Sequence, residues 1–304
     1  MLRLDILQTI KKEYESGTNI ISYLKNIKKQ ENNSIEDIMI SYDFQAGKYN
    51  EEYVSMNDFY KKFHRTLIAE ISKVVEKIGK KDISIMEAGV GDGTSFVSIC
   101  KGLRDVAKER YAFDISWSRV KCCDRYCNKE GIDAKLFVGD LMNMPISNNG
   151  VNLVYTVHAV EPNGGNEKTI LEELMRVTKD YLVMFEPIYE LADETCKRYM
   201  EKHGYVRNLK VIIEELGYKI VKYELLDKEF WPGKTNPTGI IVVKKCSEEN
   251  TDNVLCDPLL KTSIRRYSDS YFSKESMLAY PIIGGIPCLT TENAIVATHY
   301  GEYI

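Results

Sequence analysis

Residues 83–94 have the sequence Ile-Ser-Ile-Met-Glu-Ala-Gly-Val-Gly-Asp-Gly-Thr, a short apolar run followed by three alternating glycines. An apolar run of this length predicts a buried strand, and glycines directly after it predict a tight turn. Glycine adopts positive φ angles without strain and lets a ligand approach the backbone closely. The helix expected next would direct its unpaired N–H groups and partial positive charge at the same turn. The sequence therefore predicts a site for a nucleotide-like cofactor here.

Strands and helices are predicted to alternate from residue 83 to about residue 245. The expected strands cover residues 83–88, 111–114, 135–138, 151–157, 181–186, 219–225 and 239–244. The expected helices cover residues 94–108, 117–129, 167–177 and 192–203. Such alternation is typical of a Rossmann-like α/β fold, with a mainly parallel seven-stranded sheet and helices on both faces. No helix is expected between the last two strands, so the seventh strand is predicted to insert antiparallel at or near the edge.

Two further segments flank the predicted sheet. Residues 1–75 are expected to form a helical N-terminal cap or lid, in which Ser34 is a candidate helix N-cap. A polar, turn-rich linker follows residue 246 and introduces a small C-terminal appendage. The predicted domains are therefore residues 1–75, 76–245 and 246–304.

The composition favours a globular protein over a nucleic-acid-binding or membrane protein. The formal net charge of the 304 residues is −4, which argues against a broad nucleic-acid-binding surface. The chain start lacks the apolar core of a signal peptide, and no apolar segment approaches the length of a membrane span. Eight scattered cysteines are expected to be reduced thiols in the cytoplasm, and no metal site is predicted from them.

The spacing of the glycines distinguishes between nucleotide cofactors. A dinucleotide-binding turn has the pattern Gly-x-Gly-x-x-Gly, but here the third glycine is Gly93, one residue too early. The resulting pattern from Glu87 to Gly93, Glu-x-Gly-x-Gly-x-Gly, resembles motif I of class I S-adenosylmethionine-dependent methyltransferases. Residues 151–157 resemble motif IV of that family, and the terminal pair of strands is similar to that of its sheet. The resemblance covers roughly residues 76–245.

The resemblance implies S-adenosylmethionine as the cofactor and suggests which residues bind each part of it. Asp114, after the second strand, is expected to accept both ribose hydroxyls. Asp140, after the third strand, is expected to accept the adenine amino group, and the backbone N–H of Leu141 is expected to reach the ring. The amino-acid moiety is expected to lie against Glu87 and the three glycines of the turn, Gly89, Gly91 and Gly93.

An aromatic segment before the long helix is predicted to close over the cofactor. In many small-molecule methyltransferases, an N-terminal segment with Tyr, Ala and Tyr folds over the methyl donor. Here Tyr42, Gln45 and Tyr49 are the candidate lid residues, and Gly47 would allow the segment to bend. Ordinary helix packing is the alternative for these side chains.

The loops after the fourth and fifth strands are predicted to hold the methyl acceptor, because ligands of open α/β sheets bind beyond the carboxyl ends of the strands. His158 and Glu161 are the candidate proton acceptors. Packing of His158 over the cofactor and capping by Glu161 are the alternatives. The predicted substrate-binding residues are Asn163, Glu186, Tyr189 and Glu190.

Two short segments of the C-terminal appendage resemble a second protein family. Residues 278–289 resemble the closing hairpin of the small zinc-ribbon-like Trm112 family, and residues 254–259 resemble its first cysteine-containing turn. Zinc-binding members carry two cysteine pairs, whereas Cys256 stands alone, so no zinc is predicted. Capping of the catalytic domain, substrate binding and homodimerisation are the roles open to this segment.

Together these features predict a cytoplasmic S-adenosylmethionine-dependent O- or N-methyltransferase of small molecules. The Glu-Pro-Asn-Gly-Gly loop at residues 161–165 is similar to that of bacterial methyltransferases of surface-sugar biosynthesis. A sugar, a sugar nucleotide or a nonulosonic acid-like derivative is therefore the favoured acceptor. The Trm112-like segment suggests RNA or protein methylation instead, but the acidic charge and the lack of an Asn/Asp-Pro-Pro-Tyr-type motif oppose it. A catalytically silent cofactor-binding protein is the remaining alternative.

Overall fold

A computed structural model describes residues 4–30, 32–49, 58–249, 251 and 253–302 of the chain. The helices in these ranges are α1 (Leu4–Glu15), α2 (Ile20–Lys28), α3 (Ile35–Phe44), α4 (Asp58–Ile78), α5 (Thr94–Gly102), α6 (Trp117–Lys129), α7 (Glu167–Val177), α8 (Glu194–His203) and α9 (Leu209–Glu215). The main sheet contains β1 (Ile83–Ala88), β2 (Ala107–Asp114), β3 (Lys135–Val138), β4 (Val151–Val157), β5 (Thr178–Pro187), β6 (Lys219–Leu225) and β7 (Thr238–Lys244). The C-terminal segment adds β8 (Arg265–Arg266), β9 (Ser270–Ser273), β10 (Leu278–Ile283), β11 (Ile286–Pro287) and β12 (Ile295–Val296).

The main sheet has the strand order β3-β2-β1-β4-β5-β7-β6. The first five strands pair in parallel, whereas β7 lies antiparallel between β5 and β6. The predicted seven-stranded, mainly parallel sheet is thereby confirmed. Because the chain order reverses between β1 and β4, a crevice is expected at the carboxyl ends of these two strands.

Helices cover both faces of this sheet. Ile85 of β1 packs into a core cluster with α4, α5 and α6, and its neighbour Met86 packs into a second cluster with α7 and α9. Burial on both faces explains why the parallel strands are almost continuously apolar. In the helical cap, the Ser34 hydroxyl accepts the Asp37 N–H at 3.2 Å, which confirms the expected N-cap. Within the described ranges, no helix has the length and apolar character needed to cross a bilayer.

Three helices differ from the sequence-based expectation. The expected helix 94–108 ends at Gly102, because Leu103 and Val106 form a turn whose N–H groups bond to Ile99 and Leu103. The strand that follows begins already at Ala107, which pairs with β1 and is fully buried. Apolar spacing alone does not distinguish this buried turn from a further helical turn. The expected helix 192–203 begins at Glu194, and α9 was not predicted because its seven residues are too few for a clear helical period.

The C-terminal segment packs against the main sheet at its β3 side. The Leu289 N–H donates to the Val138 carbonyl at 2.9 Å, and the Ser147 N–H donates to the Val254 carbonyl at 2.8 Å. Tyr280 and Leu289 are fully buried in the core cluster that contains α7 and α9. The segment therefore supplies side chains to the core of the sheet domain.

Candidate functional site

A cavity of about 660 Å³ opens at the carboxyl ends of β1 to β4. Its floor includes strand-end residues of the sheet, and its cover comes from α3, from α4 and from a turn at residues 228–236. This volume lies within the range of roughly 300–1,000 Å³ that is usual for small-molecule sites. The predicted site residues that line it are Tyr42, Tyr49, Glu87, Gly89, Gly91, Asp114, Asp140, Leu141, His158, Glu161 and Asn163.

The glycine turn between β1 and α5 is shaped by its packing neighbours. Gly89, Gly91 and Gly93 all have positive φ, at +78°, +54° and +87°. A Cβ atom on Gly89 would lie 2.3 Å from Ala159 Cβ, and a Cβ atom on Gly93 would lie 2.6 Å from Cys123 Sγ. Gly89 and Gly91 line the cavity, but Gly93 does not. The third glycine therefore allows the close approach of α5 to α6 and lies outside the cavity lining.

Glu87 stands at the end of β1 with its carboxyl group buried in the cavity wall. The Ser95 hydroxyl donates to Oε1, and the hydroxyl of the buried Tyr155 on β4 interacts with the same carboxyl group. Burial raises the pKa of Glu87 to about 8, and the hydrogen bonds from Ser95 and Tyr155 oppose this rise. A carboxylate has about four acceptor positions, so Glu87 can also accept a hydrogen bond from the ammonium group of an amino-acid moiety in the cavity. The residues present thus fit the expected cofactor.

Asp114 and Asp140 lie on the cavity wall, and the carboxyl group of each accepts backbone N–H groups. Asp114 accepts the Gly91 N–H at 2.9 Å and the Ser116 N–H at 3.0 Å, one with each oxygen. Asp140 accepts the Met142 N–H at 2.9 Å, and burial raises the pKa of its carboxyl group. Since a carboxylate has about four acceptor positions, both side chains can accept further hydrogen bonds from a ligand.

Asp92 and Arg119 fasten the lid segment over the cavity, and the sequence analysis did not select either. Asp92 accepts the N–H groups of Gly47 and Tyr49 at 3.0 and 3.2 Å. Arg119 donates from Nε to the Tyr42 carbonyl at 3.0 Å, and its guanidinium lies 4.4 Å from the centre of the Tyr42 ring. Asp92 has a usable sequence signal, because it stands between two glycines of the turn. Arg119 has no such signal, since its position depends on how α6 packs against α3.

Asp43 and Gln45 belong to the lid segment but do not line the cavity. Asp43 caps α6, accepting the hydroxyl of Ser116 at 2.7 Å and the N–H of Ser118 at 3.1 Å. The amide of Gln45 donates to the Ser41 hydroxyl at 3.1 Å within the same helical segment. Gln45 therefore does not join Tyr42 and Tyr49 at the cavity wall.

Beyond β4, the cavity-lining residues His158, Glu161 and Asn236 form a hydrogen-bonded group with Thr238. His158 Nδ1 lies 2.7 Å from Glu161 Oε2, and the same oxygen accepts the amide of Asn236 at 2.9 Å. The hydroxyl of Thr238 lies 3.1 Å from His158 Nε2. Asn236 and Thr238 precede and begin β7, and sequence reasoning missed both. Because β7 is antiparallel, its first residues lie at the same sheet edge as the carboxyl ends of the parallel strands, which is the signal that could have found them.

Glu186, Tyr189 and Glu190 do not line the cavity, although they were predicted to bind substrate. Glu186 is fully buried and accepts the N–H groups of residues 159, 160 and 161. The Tyr189 hydroxyl donates to Glu201 at 2.6 Å, and Glu190 accepts the Asn208 N–H at 2.6 Å. Burial raises the pKa of Glu186 to about 7. Its carboxyl group therefore holds the turn that carries His158 and Glu161.

Comparison with known proteins agrees with this geometry. Residues 85–181 match a family model described as a methyltransferase domain. The chain is similar in structure to magnesium protoporphyrin IX methyltransferase from Synechocystis PCC 6803 with bound S-adenosylhomocysteine, at 12% identity and a TM-score of 0.51, over 68% of this chain and 98% of that one. It is also similar to a protein described as a sarcosine dimethylglycine methyltransferase from Galdieria sulphuraria, at 10% identity and a TM-score of 0.50, over 62% and 87% of the two chains. These structural likenesses establish the methyltransferase-like α/β fold, and the family match identifies residues 85–181 as a methyltransferase domain.

Proposed function

We propose that the enzyme transfers the methyl group of S-adenosylmethionine to an oxygen or nitrogen atom of a small molecule. The acceptor that we favour is a sugar, a sugar nucleotide or a nonulosonic acid-like derivative. The observation that carries this proposal is the cavity itself, in which the cofactor-facing acids and the His158–Glu161 pair line one volume under a helical cover. A covered space suits a small molecule better than RNA or protein, and the net charge of −4 agrees.

The proposed cofactor contacts follow from the free acceptor positions on the wall. Glu87 Oε2 would accept the ammonium group, Asp114 the ribose hydroxyls and Asp140 the adenine amino group. The backbone N–H of Leu141 would donate to the ring. When bound, the cofactor supplies an electrophilic methyl group on a sulfonium centre. The protein then has to hold the nucleophilic atom of the acceptor against the methyl carbon and to remove the proton of that nucleophile.

Cofactor binding is expected to strengthen as the pH rises toward 8. With a pKa of about 8, the Glu87 carboxyl group holds a proton at neutral pH, and pairing with the ammonium group releases it. Release of one proton makes the affinity change by up to about tenfold per pH unit below 8. Calorimetry in buffers of different ionisation enthalpy would measure the number of protons released when the cofactor binds. Glu87→Gln is the matched control, and a wild-type protein that releases no proton would contradict the assignment of Glu87.

The same shift has a consequence for the free protein. The folded-state pKa of Glu87 is raised above the ordinary carboxyl value of about 4.3. The contribution of this carboxyl group to folding stability is therefore fully present at pH values below about 4.3. This contribution is lost as the pH rises through the folded-state pKa. The free enzyme is therefore expected to be more sensitive to alkaline pH than the cofactor-bound enzyme.

The cover of the cavity supports the choice of acceptor. Phe63 and Trp231 present aromatic rings to the cavity, and apolar walls of this kind are usual in small-molecule sites. Lys228 and Lys234 are exposed residues of the cavity lining and offer positive charge to a phosphate or carboxylate. A nucleotide-activated sugar or a sugar acid combines hydroxyls, an apolar ring face and negative charge. This combination matches the chemistry of the cover.

A mass-spectrometric screen tests the proposed acceptor class. The purified enzyme and S-adenosylmethionine are incubated with nucleotide-activated sugars, sugar acids and amino sugars, and each is monitored for the gain of one methyl group. Asp114→Ala, which removes the expected ribose contact, is the control for enzymatic transfer. Methylation of a sugar derivative by the wild type alone is the expected result. Methylation of RNA or protein, with all sugars unchanged, would overturn the proposal.

A further inference from the structure

The two oxygens of the Glu161 carboxylate differ in their hydrogen bonds. Its Oε2 atom receives two hydrogen bonds, from His158 at 2.7 Å and from the amide of Asn236 at 2.9 Å. Both of these hydrogen bonds go to Oε2 and none within the described residues goes to Oε1, and Glu161 lines the cavity. The turn below is fixed as well, because the Glu161 N–H donates to the buried Glu186 carboxyl group. One oxygen of Glu161 is thus fixed by the protein, while the other can meet a ligand.

His158 is surrounded by partners that favour its doubly protonated form. Its Nδ1–H donates to Glu161, and its Nε2 faces the Thr238 hydroxyl at 3.1 Å. The Thr238 hydroxyl has a single hydrogen, and it also faces the backbone carbonyl of Asn236 at 3.3 Å. When the hydroxyl donates to this carbonyl, its oxygen is left to accept a hydrogen from Nε2. In that arrangement both ring nitrogens of His158 donate, Nδ1 to Glu161 and Nε2 to Thr238, and the imidazole is cationic.

The charges around His158 act in the same direction. Burial lowers the pKa of His158, but the charge and hydrogen bond of Glu161 and the charge of Glu186 raise it, so the net pKa lies above the ordinary value. On its remaining side His158 faces the Phe63 ring, 6.3 Å away between centroids, which carries no charge. An imidazolium has no lone pair with which to accept a proton. His158 in this state is therefore unable to act as the base.

We propose that Glu161 is the catalytic base of the methyl transfer and that His158, Asn236 and Thr238 are positioning residues for its carboxylate. This inference rests on the proposed function. The nucleophilic oxygen or nitrogen of the acceptor forms the new bond to the methyl carbon, and the electron pair of the breaking carbon–sulfur bond stays on sulfur. The proton of the acceptor passes to Glu161 Oε1. Since the acceptor must present an O–H or N–H to a carboxylate, the site selects hydroxyl or amine acceptors.

The charge state of His158 is tested by NMR titration of the histidine rings, which requires no methyl acceptor. The chain has four histidines, and His158→Asn assigns the resonance, because asparagine tolerates the left-handed φ of +52° at this position. We expect the wild-type His158 ring to remain cationic at neutral pH and to titrate above its ordinary value of about 6.5. In Glu161→Gln and Thr238→Val, the midpoint should fall below that value. The resonances of the exposed His299 serve as the internal reference.

Two results would overturn the inference. A wild-type His158 that is neutral at pH 7 would possess the lone pair of a base and would remove the reason for assigning Glu161. Once the screen has supplied an acceptor, Glu161→Gln should lose turnover at every pH with cofactor affinity unchanged, while Thr238→Val should shift the acidic limb of the pH profile and retain activity. Full turnover by Glu161→Gln would also exclude Glu161. Failure of the screen leaves the titration valid, so the two proposals fail separately.

Discussion

Gly89→Ala is expected to destabilise the protein by about 2–5 kcal/mol and to weaken cofactor binding. Part of this cost comes from the positive φ of +78°, which an L-residue adopts with strain. The rest comes from the new Cβ atom, which would lie 2.3 Å from Ala159 Cβ. Ala159 cannot move aside easily, because its N–H is bound to the buried Glu186 carboxyl group at 2.9 Å. Denaturant unfolding with and without cofactor measures both effects.

The chain offers matched controls for the two parts of this cost. Gly131 has a similar φ of +67°, and a Cβ atom there would meet nothing within 4 Å. Gly131→Ala should therefore show the backbone cost alone, about 1–2 kcal/mol. The double variant Gly89→Ala, Ala159→Gly should recover the steric part, and a double-mutant cycle isolates it. Equal destabilisation by Gly89→Ala and Gly131→Ala would mean that the contact with Ala159 is without energetic consequence.

Asp114→Asn is expected to reduce the affinity for S-adenosylmethionine by about 10- to 100-fold. A hydrogen bond to a charged group contributes about 1.5–3 kcal/mol, and each 1.4 kcal/mol corresponds to roughly a tenfold change in affinity. The amide also replaces one acceptor oxygen by a donor, which would face the N–H of Gly91 or Ser116. The variant therefore loses a ligand contact and loosens the glycine turn together. Calorimetric titration with the cofactor measures the loss.

A surface acid provides the comparison for this variant. Asp124 on α6 carries the same charge and pairs with Lys121 at 2.7 Å, away from the cavity lining. Asp124→Asn should bind the cofactor like the wild type. Wild-type affinity in a folded Asp114→Asn protein would show that the ribose does not bind at the end of β2.

Local patterns in the sequence were sufficient to predict the sheet and the acidic residues at the ends of its strands. Glu87, Asp114 and Asp140 each directly follow or end an apolar strand, and parallel strands bring such residues to one edge. Asn236 and Thr238 depend on a long-range event, the antiparallel insertion of β7 beside β5. The antiparallel direction expected for β7 places its first residues at this end of the sheet, but no pattern within residues 236–244 indicates which strand they join. Their position beside His158 was therefore not predicted.

The orientation of a side chain could also not be predicted from local sequence patterns. Glu186 was correctly expected at the carboxyl end of β5, beside the loop after β4. Its carboxyl group nevertheless turns to three backbone N–H groups of that loop, because a buried acid needs donors and the loop provides them. Gly93 is a similar case, since the side chain that excludes a Cβ atom there belongs to α6, thirty positions along the chain.

The contact between the C-terminal segment and β3 bears on how copies of this protein can associate. The outer strands of the main sheet are β3 and β6, and an open outer strand offers unpaired backbone groups to other chains. At β3, Val138 is already bridged to Cys288, and its carbonyl accepts the Leu289 N–H. The protein thus shields one border of its sheet with its own C-terminal residues. A dimer that continues the sheet from one copy to the next would have to form along β6.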